Sequence, residues 1–430
     1  MNKFKFIFIF DEWALLVLAF SCFGLLFVAK PTTWLPTLVI VVGGLLAAFN
    51  AKFRSRFIAL FRHEQCRWIV WPFVAWLGVA LMVSIVHWGS LKFHVPGNEL
   101  RFVLALSILC LTVHQKTKRA FYFGLMVGAC AAVAWGIYES QVLGVWRAQG
   151  TTNNAIHFGN LTALIALLSF SAAIMDTTIG TKYRSALLLS ALVAVFASMT
   201  SLTRSSVILV LCVIPLVWFP QKDFLRKFAI KLAAVLLVAM VCAIGLFAQV
   251  RERLRIHEFT AAFSHTEKID YERFTSNRAN MWHAAILVFK AHPLVGVGPK
   301  GFSEAFEALA VEGLVEKTDF HNQPHNDILY AASMGGVFKL LAYLALIFGP
   351  FIFFYKNYQA KVDLVSKISS ILGMQVVAAF FLTGLTNSNF DLQIYSTMYA
   401  VLVCLLARLS MFEINAAESS ILPSPAAPSC

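Results

Sequence analysis

A run of polar residues stands at positions 320–327, where a long polar loop re-enters apolar sequence. It reads Phe-His-Asn-Gln-Pro-His-Asn-Asp. Imidazole, amide and carboxylate groups can hold a polar substrate and move its protons. A protein that only spanned lipid would have no use for this set at a membrane edge. The run therefore predicts chemistry on a polar substrate at a bilayer surface.

His325 is the first candidate for a general base in this run. Pro324 suits the first turn of a helix, so we expect His325 in the first turn of the apolar span that follows. The positive end of the helix dipole disfavours imidazolium there. A neutral imidazole near pH 7 can accept a proton. His321 is an alternative for the same role, and a polar cap that contacts water is the structural alternative.

Three arginines are candidates for binding an anion on the same side. Arg204 lies in a very short turn between two spans, where a charge is costly unless it is paired or faces a wet cavity. Its planar guanidinium matches phosphate oxygens, although snorkelling to the interface would also explain it. Arg278 begins a loop helix, and Arg147 shares a third outer loop with His157. For these two positions a solvated helix face or an ordinary polar stretch is the alternative.

Composition sets the class of protein. The chain has 430 residues, of which 59% are hydrophobic and 13% charged, with a mean hydropathy of +0.74. Soluble domains carry about 45–50% apolar and about 25% charged residues. The chain is therefore predicted to be a polytopic membrane protein. Its net charge of +13 is scattered between apolar runs, which argues against nucleic acid and for basic cytoplasmic loops.

Stretches of about 20 apolar residues predict an all-α fold with about twelve transmembrane spans. The predicted spans are 12–29, 35–49, 68–87, 99–114, 118–137, 157–175, 184–200, 205–219, 228–249, 326–355, 364–385 and 391–412. Residues 1–249 would then form a bundle of nine spans, followed by an outer loop at 250–325. Residues 326–412 would add three spans, and 413–430 a disordered tail.

Basic residues concentrate on one set of loops, which predicts that both termini are cytoplasmic and that the loop 250–325 lies outside. Inside this loop the apolar spacing predicts one helix at 278–290 and another at 302–311. A turn rich in glycine separates them at 296–299. The basic start of the chain lacks a small-residue cleavage site, so we expect an uncleaved first span.

Three segments carry recognisable motifs. They are Thr203-Arg204-Ser205-Ser206, then Arg278-Ala279-Asn280-Met281-Trp282 with residues 293–298 and Phe302, and finally His325-Asn326 followed after nine residues by Gly336. In these segments the chain resembles the O-antigen ligase/polymerase superfamily of bacterial polytopic glycosyltransferases, and most closely the ligases. Lys339 departs from the ligase pattern, which has Gly, Thr or Tyr at that position.

The resemblance implies a fold like that of GT-C glycosyltransferases, with a large periplasmic loop of amphipathic helices. It implies transfer of a glycan from undecaprenyl diphosphate to lipid A–core at the periplasmic face of the inner membrane, without a metal or other cofactor. Arg204 and Arg278 would bind the diphosphate, with Arg147 as a third. His325 would be the catalytic base, supported by Asn326 and His321, and the anomeric centre would invert.

Other functions remain open at this point. An O-antigen polymerase and a protein O-oligosaccharyltransferase share the motifs and the donor and differ in the acceptor. A transporter of lipid-linked glycans belongs to another class and would place its polar groups near the bilayer midplane. Lys339, inside the tenth predicted span, agrees with a transporter. The other polar candidates lie at the outer edge and favour an enzyme.

Overall fold

The computed structural model describes residues 3–28, 33–87, 96–114, 116–206, 278–299, 301–317, 323–360 and 363–411, with side chains from residue 13 onward. Over these residues the chain is helical and has no β-strand. The helices described, labelled in chain order, are α1 (Lys3–Gly24), α2 (Trp34–Phe49), α3 (Ala51–Arg62), α4 (Arg67–Val86), α5 (Gly97–Ala105), α6 (Thr117–Ile137), α7 (Ala155–Met175), α8 (Thr181–Thr200), α9 (Arg278–Ala291), α10 (Phe302–Val311), α11 (Asp327–Ala360), α12 (Leu364–Gly384) and α13 (Gln393–Ser410).

Seven helices in the described ranges are long and apolar enough to cross a membrane: α4, α6, α7, α8, α11, α12 and α13. The pair α2–α3 would form an eighth span, broken by a bend of 100°. The predicted fold class, an all-α multi-pass membrane protein, is confirmed. The predicted span 228–249, most of 205–219 and the tail 413–430 lie outside the described residues, and the domain boundaries stay predictions.

Two predicted spans differ from the structure. The predicted span 35–49 continues past Asn50 into α3, and the Asn50 side chain accepts a hydrogen bond from the Phe53 amide at 2.9 Å. This N-cap starts a new helix in a new direction. The predicted span 99–114 is instead α5 followed by a 3₁₀ turn at Leu106–Cys110. Counting apolar residues measures length but does not detect such changes in backbone path.

The helix α7 is the centre of the bundle, and its whole apolar length is buried. It contains no Asp, Glu, Lys or Arg, and many of its residues are small, so neighbouring helices can approach it closely. Its few hydroxyl groups bond across helices: Ser171 Oγ accepts from Gln375 Nε2 of α12 at 2.8 Å, and Ser169 pairs with Ser190 of α8 at 3.3 Å. Such bonds stabilise helix packing where lipid provides no hydrophobic driving force.

The two helices predicted inside the outer loop are confirmed as α9 and α10. They pack on the start of α11 through a small hydrophobic cluster of their own. Its buried members are Met281, Ala284, Ala285, Phe302, Phe306, Val315, Tyr330 and Met334. The cluster fixes α9, which begins with Arg278, against the helix that follows His325.

The long helix α11 is broken at Gly336, where φ is 64° and ψ is −160°. Side chains strongly disfavour this backbone geometry. The break is sealed by residues 293–298: the amides of Val297 and Gly298 donate to the carbonyls of Ser333 and Met334, both at 3.0 Å. The Val337 amide donates in turn to the Pro293 carbonyl at 2.7 Å. The loop thus packs into the break in α11. The predicted span 326–355 corresponds to α11, a candidate membrane span, and contains a break that its apolar length does not reveal.

Lys339 is buried just beyond this break. Its Nζ lies 3.5 Å from Oε1 of Glu99 on α5, and the two side chains are 2% and 9% exposed. The ammonium also lies 5.2 Å from the ring of Trp76 and 5.3 Å from that of Tyr330. From the sequence, Lys339 could either face a cavity or mark where the long helix crosses the bilayer. The structure assigns it to a buried ion pair that joins α5 to α11.

We predict that Glu99→Gln lowers the melting temperature of the purified protein sharply. It leaves a buried ammonium without its counter-charge, and breaking one side of a buried pair costs about 3–5 kcal/mol. The double variant Glu99→Met/Lys339→Met removes both charges and is expected to recover most of the loss. Thermal unfolding in detergent measures both. Equal stability of Glu99→Gln and the wild type would contradict the assignment.

Candidate active site

The residue that begins α11 is not His325 but Asp327, and the cap is Asn326. The Asn326 Oδ1 accepts from the amides of Ile328 and Leu329, at 2.9 and 3.1 Å. His325 lies one residue before this cap, with φ of 49°. The prediction that His325 occupies the first turn is therefore wrong, because the asparagine side chain competes for the free amides at the helix end. The half-buried imidazole lies immediately outside the helix.

The connection between α12 and α13 (residues 385–392) holds this turn in place. Asn326 Nδ2 donates to the Leu385 carbonyl at 3.1 Å, and Asp327 Oδ1 accepts from the Phe390 amide at 3.3 Å. Tyr330 OH, one turn further along α11, donates to Asp391 Oδ1 at 2.6 Å. The connection is itself braced, since Asn389 Nδ2 donates to the Phe380 carbonyl and to Thr383 Oγ1, at 3.2 and 2.9 Å.

Sequence reasoning missed this connection. Asn387-Ser388-Asn389 separates two apolar runs near the end of the chain, and three polar residues between two spans are a signal that could have been used. The amide of Asn326 was expected to orient His325 or a sugar. Both ends of that amide are instead bonded to backbone, which makes it a structural clamp on the turn.

The helix α9 brings Arg278 towards the same turn. Trp282, one helical turn after Arg278, donates from Nε1 to the carbonyl of Pro324 at 3.0 Å. Residues four apart lie on one face of a helix, so Arg278 is on the side of α9 that faces the His325 turn. Burial lowers the pKa of the Arg278 guanidinium, because desolvation disfavours its charge. A cation in such a position favours an anionic ligand.

Arg147 lies against the turn that leads into Arg204. Its Nε donates to the Ser201 carbonyl at 3.0 Å and its Nη2 to Thr203 Oγ1 at 3.3 Å. The loop that carries Arg147 is folded back by Glu139, whose carboxylate accepts from the amides at 149 and 150. Arg204 follows this turn and is half-buried. The structure therefore brings the Arg147 loop and the Arg204 turn together.

A chain of contacts joins the arginine turn to α13. Ser205 Oγ donates to Asn160 Oδ1 at 2.8 Å, and Asn160 Nδ2 donates to the hydroxyl of Tyr395 at 3.3 Å. The ring of His157, in the first turn of α7, stands edge-on to Tyr395 at 5.2 Å between centroids. Tyr395 lies three residues after the α12–α13 connection. The turns that carry Arg204 and His325 thus both bond to the segment 385–395.

Five of the predicted site residues lie at the end of the bundle where α11 begins and α12 ends. They are Arg147, Arg204, Arg278, His325 and Asn326. His321 lies outside the described residues. Among the residues described, no group of three His, Cys, Asp or Glu is close enough to hold a metal ion.

Two comparisons with known proteins concern the family of the chain. Residues 186–344 match the model of the Wzy_C family, described as O-antigen ligase. An uncharacterized protein of Haemophilus influenzae is 23% identical over 317 residues, which are 71% of this chain and 78% of the relative. The family match spans Arg204, Arg278, residues 293–298, His325 and Gly336. The predicted resemblance to the O-antigen ligase superfamily is therefore confirmed over the part of the chain that carries these residues.

Proposed function

We propose that this protein is an O-antigen ligase. It transfers a glycan from undecaprenyl diphosphate to lipid A–core at the periplasmic face of the bacterial inner membrane, with both termini in the cytoplasm. As the resemblance implies, the reaction uses no metal, inverts the anomeric centre and depends on a histidine base and arginine side chains.

The observation that supports the proposal most is the shared support of two turns. The His325 turn is bonded to the α12–α13 connection through Asn326, and the Arg204 turn is bonded through Asn160 to Tyr395 directly after it. A transferase needs a base and an anion site at a fixed separation, because reacting groups gain most when they are held in position beforehand. The common support supplies such a fixed separation.

His325 takes the proton of the acceptor hydroxyl while the hydroxyl oxygen attacks the anomeric carbon. The bond from that carbon to the diphosphate oxygen breaks at the same time, and the diphosphate leaves with the bonding electrons. One displacement of this kind inverts the anomeric centre. The proton remains on the imidazole until water or the departing diphosphate accepts it.

Arg204 and Arg278 bind the diphosphate, on which one further negative charge develops as the bond breaks. Guanidinium groups offer two parallel donors to phosphate oxygens and keep their charge. Arg147, which already bonds to the turn before Arg204, holds that turn and adds positive charge. Interactions of this kind accelerate the reaction because they strengthen as the charge grows.

Cells without this protein are expected to accumulate full-length O-antigen polymer on the undecaprenyl carrier, with lipid A–core left undecorated. Extraction of carrier-linked glycans and their separation by size measure this. Single repeat units on the carrier would identify a polymerase instead. Normal lipopolysaccharide with undecorated protein would identify a protein O-oligosaccharyltransferase.

We predict that His325→Ala lowers decoration of lipid A–core by about 10²–10⁴-fold at matched expression, the usual contribution of a general base. His292→Ala is the matched control, since it removes an exposed imidazole at the other end of α9. Gel analysis of lipopolysaccharide in cells that lack the wild-type protein measures both. Wild-type decoration by His325→Ala would exclude His325 as the base.

Arg204→Lys is expected to reduce the rate by about 10²-fold, because lysine keeps the charge but cannot supply two parallel donors to the leaving group. Arg62→Lys, an exposed position at the end of α3, is the control. The assay uses purified protein with a carrier-linked glycan and lipid A–core. Full activity of Arg204→Lys would indicate that Arg204 serves the structure alone.

A further inference from the structure

A cavity lined by charged, polar and aromatic side chains lies at the opposite edge of the bundle from His325. Its volume is about 240 Å³, and it opens between the first residues of α4 and the last turns of α11. Its lining includes Glu64, Gln65, Arg67, Trp68 and Lys356. The proposed transferase chemistry uses none of these residues.

Two cations are held over one indole ring at this cavity. The Arg67 guanidinium lies 5.5 Å from the Trp68 ring centre, and Lys356 Nζ lies 4.7 Å from it. Each gains cation–π attraction that fixes a long side chain. Glu64 is 3.7 Å from Arg67, but its side chain is 84% exposed, and such surface pairs contribute little. Arg67 and Lys356 are positive and Glu64 is negative, so the charged side chains that line the cavity leave one net positive charge, which an anion would balance.

The cavity also offers an unused acceptor. Gln65 Oε1 is buried and has no hydrogen-bond partner among the residues that the structure describes. A buried acceptor without a partner destabilises the folded protein until a ligand donates a hydrogen bond to it. The fitting ligand therefore combines an anionic group with a hydroxyl donor, whereas an anion without a donor would leave Gln65 unsatisfied.

The position of the cavity points to a membrane lipid. It lies at the ends of α4 and α11, which are both candidate spans. Trp71 follows one turn into the apolar part of α4 and is 55% exposed, so a hydrocarbon chain entering beside the cavity would meet an aromatic side chain. Basic pockets between transmembrane helices commonly bind anionic headgroups.

We propose that this cavity binds the headgroup of an anionic glycerophospholipid that carries free hydroxyls, as phosphatidylglycerol does. The phosphodiester lies between Arg67 and Lys356, and a headgroup hydroxyl donates to Gln65. The acyl chains lie along α4 beside Trp71. This site is separate from the proposed transferase site and does not depend on its function.

The test uses the full-length protein in nanodiscs of equal parts phosphatidylglycerol and phosphatidylcholine, followed by native mass spectrometry of retained lipid. The wild type is expected to retain phosphatidylglycerol preferentially. Arg67→Gln/Lys356→Gln is expected to lower that preference about ten-fold or more, because each basic side chain near the surface contributes to lipid binding. Lys52→Gln/Lys182→Gln removes the same charge from two other exposed positions and should leave the preference unchanged.

Three results would overturn the proposal: no lipid preference in the wild type, an equal loss in the control pair, or equal binding of free glycerol phosphate in discs of phosphatidylcholine alone. A second variant preserves every charge. Gln65→Leu should weaken retention of phosphatidylglycerol more than that of phosphatidylmethanol, an anionic phosphodiester without a headgroup hydroxyl. An equal effect on both lipids would remove Gln65 from the site.

Discussion

The α12–α13 connection is the constraint on which the candidate site depends. Side chains from the start of α11 bond to it. The Arg204 turn bonds through Asn160 to Tyr395, three residues after the connection. Each bond contributes about 1 kcal/mol, but a buried group that loses its partner costs about 1–3 kcal/mol. Asn326, Asp327 and Asn389 are buried in the protein, so few alternative partners exist for their polar groups. The connection therefore holds the turns in one arrangement and disfavours others.

A second constraint acts through the backbone. The break at Gly336 frees carbonyls that helix geometry would otherwise satisfy, and residues 293–298 satisfy them with their own amides. A Cβ on Gly296 would lie 2.5 Å from the Gly335 amide nitrogen, so the two segments approach as closely as glycine allows. This joint fixes the loop that follows α9 to α11. Together with the Trp282 bond it ties Arg278 to the His325 turn.

Part of this organisation was predictable from the sequence. The helices α9 and α10 were predicted almost to the residue, because their apolar spacing is helical and a proline and several glycines separate them. His325 was predicted inside the helix because Pro324 favours a helix start. Asn326 is the N-cap instead, and a single sequence does not show which of these two signals decides where the helix begins. Gly336 was noted as part of a motif, but its role needs the partner segment 293–298, which is distant in sequence.

The arginines at the edge of the bundle that carries His325 are held by their surroundings. At the edge that carries His325, Arg147 is bonded to backbone and hydroxyl groups, and Arg278 is partly desolvated. Lys339, further along α11, is paired with Glu99 and is therefore not available to bind a substrate anion. Guanidinium charge that is held in place suits a diphosphate leaving group.

The most direct test of the account is a cryo-electron microscopy structure of the full-length protein with undecaprenyl diphosphate bound. We expect diphosphate density within hydrogen-bonding distance of Arg204 and Arg278, with the His325 imidazole facing the position where the glycan would be attached. Diphosphate bound elsewhere, or these side chains on separate surfaces around it, would exclude a single site formed by the three residues.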